Sequence, residues 1–156
     1  MVTRLVINSV GDAFAAALLL LESAREEVVW LVPPSIHALS RRYGFVERTR
    51  AFVQHGGVLR GILEISRANV KEVQVSLENS EDIRHSDTRY NLYMYVADRR
   101  GSVSAINIGV DENTLNTPIV AFWSDDPTYA EYLLAEFERA WSHAIPIAQR
   151  IRELSK

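Results

Sequence analysis

The chain has 156 residues, a formal net charge of −3, an apolar fraction of 47% and a charged fraction of 24%, all ordinary values for one globular domain. The longest apolar run, residues 13–21, is too short to span a bilayer, and cysteines for disulfides or thiolate metal sites are absent. We therefore expect one cytoplasmic domain over residues 1–156, without a cofactor, a metal or membrane contact. The negative charge and the lack of a basic run also predict no direct nucleic-acid binding.

The first half of the chain is predicted to alternate strands and helices. Thr3–Val10 is rich in β-branched residues and predicts a strand, and a helix capped by Asp12 follows it to about Glu26. Val28–Val32 is apolar without alternation, which is typical of a strand covered on both faces. The remaining elements predicted here are helices at Ser35–Arg42, Phe45–His55 and Asn69–Leu77, with a strand at Val58–Ile65.

The second half is predicted to consist of strands followed by a long helix. A short strand is predicted around Ile83. Further strands are predicted at Asn91–Asp98, Val103–Val110 and Ile119–Trp123, with a hairpin turn at residues 99–102. The helix starts at Asp126-Pro127, where a capping carboxylate precedes a proline at the first helical position. This order predicts a mixed α/β sandwich.

The stretch Asn91-Leu-Tyr-Met-Tyr-Val-Ala-Asp98 contains the most informative pattern in the chain. Its Asn91, Tyr93 and Asp98 resemble, by their spacing, the His-x-Lys-x4-Asp motif of the phospholipase D superfamily. In that motif the His attacks phosphorus and the Lys stabilises the charge that develops on the phosphoryl oxygens. No His-x-Lys occurs anywhere in this chain. The resemblance therefore implies the family's fold without its reaction, so we expect no enzyme activity and no catalytic residues.

Further segments resemble the same family in the same order. The helix that ends at His55-Gly56-Gly57 resembles the family's helix-to-strand step, and the Phe137-x3-Trp141 ending is similar to that of small phospholipase D-like domains of prokaryotic regulators and sensors. The resemblance implies a mixed-sheet α-β-α sandwich equivalent to one half of a phospholipase D-like fold. It also implies a homodimer in which two motif strands face each other across a two-fold axis.

The candidate ligand-binding residues lie on the motif strand and in the polar segment before it: Arg84, His85, Arg89, Asn91, Tyr93, Tyr95 and Asp98. Alternation places Asn91, Tyr93 and Tyr95 on one face of the strand. Arginines and a histidine beside such a face could bind a carboxylate or a phosphate. Two structural interpretations remain open: a tyrosine-rich face packed against a helix or a second subunit, and a solvated loop with local ion pairs.

Two functions follow from these residues. The leading hypothesis is a non-catalytic regulatory, sensory or dimerisation domain that binds a small, anionic ligand or a regulatory protein at the former catalytic cleft. The alternative is a phosphodiesterase-type hydrolase with a rebuilt active site that uses His85, Arg89 and Asp98.

Overall fold

The computed structural model describes residues 1–79, 81–106 and 118–156, in which eight strands form one mixed sheet. The strands are β1 Arg4–Ser9, β2 Glu27–Leu31, β3 Val58–Leu63, β4 Asp82–His85, β5 Leu92–Ala97, β6 Gly101–Ile106, β7 Pro118–Ser124 and β8 Ile145–Pro146. Their spatial order is β1-β7-β6-β5-β2-β3-β4-β8. Only β2, β3 and β4 pair in parallel, and the other neighbours are antiparallel.

Helices cover both faces of this sheet. They are α1 Val10–Ser23, α2 Pro34–Ser40, α3 Phe45–Gln54, α4 Val70–Glu78, α5 Pro127–His143 and α6 Ile147–Leu154, with a 3-10 turn at Arg41–Tyr43. Helix α5 packs on one face, here called the α5 face, and the other helices pack on the opposite face, here called the α1 face. In the described parts of the chain, no helix combines the length and apolarity that crossing a membrane requires.

The central strand β2 divides the core in two. Val28 and Trp30 belong to the cluster on the α1 face, whereas Val29 and Leu31 belong to the cluster on the α5 face. An apolar run without alternation is needed here because both faces of the strand are covered. The predicted β2 strand and the predicted mixed-sheet sandwich are thus confirmed.

Two local predictions are wrong. Ser9 rather than Asp12 caps α1, because the Ser9 Oγ accepts a hydrogen bond from the Asp12 N–H at 3.2 Å. The β5–β6 turn lies at residues 98–100, where Asp98 and Arg99 have φ values of 52° and 58°. Gly101 is already the first residue of β6, and the predicted strand residues 107–110 lie outside the described part of the chain.

Candidate functional site

A polar cleft of about 350 Å³ lies where β2 and β3 end and β5 begins. Ligands of open α/β sheets commonly bind at the carboxyl ends of the parallel strands. The polar residues that line this cleft are Glu64, Ser86, Thr88, Arg89, Tyr90, Asn91 and Tyr93. Pro33 and Pro34, directly after β2, form part of its apolar wall.

Arg89 supplies the positive charge of the cleft. Its side chain is exposed, and among the described residues no carboxylate lies within 4.0 Å of its guanidinium group. Burial raises the pKa of Tyr93, and the nearby Arg89 charge acts in the opposite direction. Tyr93 is therefore a neutral phenol at pH 7, and the cleft combines the Arg89 guanidinium group and the Glu64 carboxyl group with neutral hydrogen-bonding groups.

Local hydrogen bonds hold the loop that carries Arg89. The Ser86 hydroxyl lies 2.9 Å from the Tyr90 hydroxyl and also accepts from the Thr88 N–H at 3.2 Å. The Ser86 N–H donates to the Leu63 carbonyl at 3.1 Å, which ties the loop to the end of β3. The polar groups of the cleft are thus partly ordered before any ligand binds.

His85 is a structural residue beneath this loop. Its side chain is 3% exposed, and its Nδ1 accepts a hydrogen bond from the Ile65 N–H at 2.8 Å. Because Nδ1 accepts, the neutral ring carries its proton on Nε2, which lies 2.9 Å from the Asp87 carboxylate. Burial and, to a lesser extent, the Arg150 charge lower the pKa of His85, although Asp87 opposes this. His85 is accordingly neutral at pH 7.

Arg84 points to the α5 face of the sheet and is not among the residues that line the cleft. Its guanidinium group stacks over the Trp141 ring at 4.1 Å and donates to the Trp141 carbonyl at 3.1 Å. It pairs across the sheet with Ile62, which belongs to the core of the α5 face. Arg84 therefore anchors α5 and does not line the cleft.

Asp98 lies at the other end of β5, about 23 Å along the strand from Asn91 at 3.3 Å per residue. Its carboxylate accepts three backbone hydrogen bonds, from Arg25 at 2.8 Å, Glu26 at 2.8 Å and Glu27 at 3.0 Å. These contacts join the β5–β6 turn to the start of β2. In this structure Asp98 is a structural residue.

Tyr95 faces an interior cavity beneath the helices of the α1 face rather than the cleft. Its hydroxyl group is buried and has no hydrogen-bond partner among the described residues. Of the seven sequence-predicted residues, the structure thus brings Arg89, Asn91 and Tyr93 together in the cleft.

Glu64, Ser86, Thr88 and Tyr90 complete the cleft and are not among the sequence-predicted site residues. A sequence signal was present, because each follows a strand of the parallel β2-β3-β4 unit. Residues that follow parallel strands meet at one edge of a sheet. Recognising this signal requires the order of the strands in the sheet, and that order depends on pairing between residues far apart in the sequence.

Neither protein-family models nor curated proteins gave a match to this sequence. Among solved structures, Nuc from Salmonella typhimurium, a phospholipase D family member, aligns with a TM-score of 0.70 and 14% identity over 94% of this chain and 98% of Nuc. NucT from Helicobacter pylori aligns with a TM-score of 0.71 and 13% identity over 94% of this chain and 99% of NucT. TrmBL2, an archaeal chromatin protein with a novel mode of DNA binding, aligns with a TM-score of 0.69 and 15% identity.

These alignments confirm that the chain has a phospholipase D-like fold. The alignment with TrmBL2 covers 91% of this chain, which spans about half (53%) of the chromatin protein.

The expectation of no direct nucleic-acid binding is wrong. It rested on the net charge of −3 and on the absence of a basic run. TrmBL2 has a domain of the same fold and binds DNA, so this architecture is compatible with binding to nucleic acid. Net charge describes the whole surface and does not exclude a local contact with phosphates.

Proposed function

We propose that this chain is a non-catalytic regulatory domain whose polar cleft binds a small anionic ligand. The observation that carries the proposal is the exposed Arg89 in the cleft, which has no carboxylate partner among the described residues. Asn91 and Tyr93 stand in the cleft at the spacing at which the phospholipase D motif has His and Lys. An amide and a neutral phenol can hold an anion by hydrogen bonds, but neither carries the charge nor provides the nucleophile of that motif.

Replacing Arg89 by alanine is expected to weaken the binding of inorganic phosphate by about 10- to 100-fold. A hydrogen bond to a charged group contributes about 1.5–3 kcal/mol, and each 1.4 kcal/mol corresponds to about tenfold in affinity. Isothermal titration calorimetry with inorganic phosphate measures this loss. Arg100→Ala is the matched control, because Arg100 is also exposed but lies in the turn at the other end of β5. Equal affinities of wild type and Arg89→Ala would contradict the anion cleft.

The alternative of a rebuilt hydrolase receives less support from the geometry. It requires His85, Arg89 and Asp98 at one site, but Asp98 lies at the opposite end of β5 from the cleft. Both ring nitrogens of His85 already face a backbone N–H or a carboxylate. A general base must reach the proton that it removes, and His85 does not, because its side chain is only 3% exposed and does not line the cleft.

The proposal includes a homodimer, which we place at the edge strand β1 and not at the motif strand β5, because β5 lies inside the sheet between β6 and β2. This strand is the outermost one of the sheet and pairs only with β7 among the described strands. Leu5 and Val6 are 55% and 65% exposed on its two faces. An exposed apolar edge is a template for pairing with an identical edge, and antiparallel pairing of two copies across a two-fold axis closes the assembly.

Val6→Lys is expected to convert the dimer to a monomer, because a lysine on an edge strand opposes edge-to-edge pairing. Native mass spectrometry measures the change in subunit number. Leu19→Lys is the matched control, since Leu19 is as exposed as Val6, at 65%, but lies on helix α1 and offers no strand edge. A wild-type monomer, or a dimer that Val6→Lys leaves intact, would contradict this assembly.

A further inference from the structure

A second cavity, of about 130 Å³, lies inside the α1 face between the sheet and helices α1 to α4. Most of its lining is apolar, and its aromatic walls are Phe14, Trp30, Phe45 and Tyr95. Tyr93 and Val32 also contact the cleft and so form the wall between the two spaces. Protein interiors are packed with few voids larger than a water molecule, so a void of this size is a candidate binding site.

Among the polar side chains of the lining, three are well-buried titratable groups: His37, Glu81 and Tyr95. His37 packs against Trp30 with ring centroids 5.6 Å apart and ring planes tilted by 33°, and burial, together with the Arg41 charge, lowers its pKa to about 4. Burial raises the pKa of Glu81 to about 7, although a hydrogen bond with Ser76 opposes this shift. His37 is thus neutral, and Glu81 is largely protonated in slightly acidic solution.

The third polar group is the Tyr95 hydroxyl, which has no partner among the described residues. Glu81 and Tyr95 both line the cavity, and burial and, secondarily, the Glu81 carboxyl raise the pKa of Tyr95. A buried hydroxyl without a hydrogen bond is unfavourable and is rare in native proteins. A polar group contributed by a bound molecule would provide the missing partner.

An ion pair borders the cavity where it approaches solvent. Arg41 Nη1 lies 3.4 Å from Glu72 Oε1 and donates to the Glu72 carbonyl at 3.3 Å. Both side chains line the cavity and are partly exposed. The pair links the 3-10 turn to α4, so separation of these two elements would open the cavity.

We infer that this cavity binds a small uncharged aromatic molecule that carries one hydroxyl group. A cavity of about 150 Å³ lined by apolar side chains binds benzene, so the volume here suits a single ring. An uncharged ligand is favoured because Arg41 and Glu72 already pair with each other, and burying an unpaired charge is far more costly than burying a hydroxyl group that finds a partner. The site is separate from the anion cleft and does not depend on the proposed function.

Titration with p-cresol and toluene at pH 6, followed by ligand-observed NMR, tests the inference. The two probes share a methyl-substituted ring, and only p-cresol carries a hydroxyl group. Wild type is expected to bind p-cresol about fivefold more tightly than toluene, because one net hydrogen bond contributes on the order of 1 kcal/mol. In Tyr95→Phe, which keeps the ring but removes the hydroxyl group that lacks a partner, this preference is expected to disappear.

Two substitutions that fill the cavity from different helices locate the binding. Ala13→Phe on α1 and Val75→Phe on α4 each add bulk to a residue of the lining and are expected to abolish binding of both probes. Circular dichroism identifies the variants that are folded, and one folded variant suffices. Absence of saturable p-cresol binding to wild type, equal affinity for the two probes, or undiminished binding by a folded filled variant would each overturn the inference.

Discussion

Replacing Asp98 by alanine is expected to lower the free energy of unfolding by about 3 kcal/mol. Three backbone N–H groups at the start of β2 would lose the carboxylate that accepts their hydrogen bonds. A hydrogen bond to a charged group contributes about 1.5–3 kcal/mol when water does not replace the lost partner. Alanine would also have to adopt the left-handed backbone of residue 98, where φ is 52°, at a cost of about 1 kcal/mol. Solvent can hydrate the freed N–H groups, so the total stays well below the sum of these values.

Urea unfolding of wild type, Asp98→Ala and Asp98→Asn measures this effect. Asparagine tolerates a left-handed backbone and keeps one side-chain oxygen, so Asp98→Asn should lose about 1 kcal/mol. Neither variant should change the affinity of the cleft for inorganic phosphate, because Asp98 lies at the far end of β5. An unchanged unfolding free energy together with lost phosphate binding would instead make Asp98 a ligand-binding residue.

Glu81→Gln is expected to gain up to about 3 kcal/mol of stability relative to wild type as the pH rises from 4.5 to 7. Burial raises the pKa of Glu81 from 4.5 to about 7 in the folded chain. Between these values the unfolded carboxyl group releases its proton while the folded one retains it, so the stability of wild type falls as the pH rises. Each unit of difference in pKa corresponds to about 1.4 kcal/mol. Glutamine cannot ionise and avoids this cost.

His37 changes the free energy of unfolding with pH in the opposite direction from Glu81. Its pKa of about 4 in the folded chain, against 6.5 when unfolded, causes stability to fall as the pH drops from 6.5 to 4. Wild type and Glu81→Gln share this histidine, so its effect cancels in their difference. Urea unfolding of both proteins between pH 4 and pH 8 gives that difference. A difference independent of pH would show that Glu81 is ionised at its ordinary pKa.

Local patterns in the sequence were sufficient to predict most of the elements. The Asp126-Pro127 start of α5 is confirmed, because the Asp126 carboxylate accepts from the Thr128 N–H at 2.9 Å. The β2 strand was recognisable because a doubly covered strand must be apolar at every position. Both features depend only on residues that are close together in the chain.

The site required information that local patterns do not contain. Arg84 and His85 are adjacent in sequence but project to opposite faces, because β4 extends through both residues and pairs with Ile62 and Leu63 of β3. Interpreting residues 84–89 as one polar loop does not reveal that Arg84 and His85 lie on different faces of the sheet. Asp98 likewise matched a motif position, but its role follows from the distant backbone of residues 25–27.

The interior cavity was also beyond sequence analysis. Its polar groups, His37, Glu81 and Tyr95, come from different elements, and its volume depends on how α1 to α4 pack over the sheet. Each of these residues taken alone is typical of an ordinary core or surface position. Only the packed structure shows that they border one space.

The most direct test of the central claim, an anion cleft that binds without catalysis, is phosphorus NMR of wild type and Arg89→Ala with the phosphodiester bis(4-nitrophenyl) phosphate. We predict a saturable change of the diester resonance with wild type, its loss with Arg89→Ala, and no 4-nitrophenyl phosphate product from either protein. Formation of that product by wild type in proportion to protein concentration would contradict the account, and so would a diester resonance that wild type does not perturb.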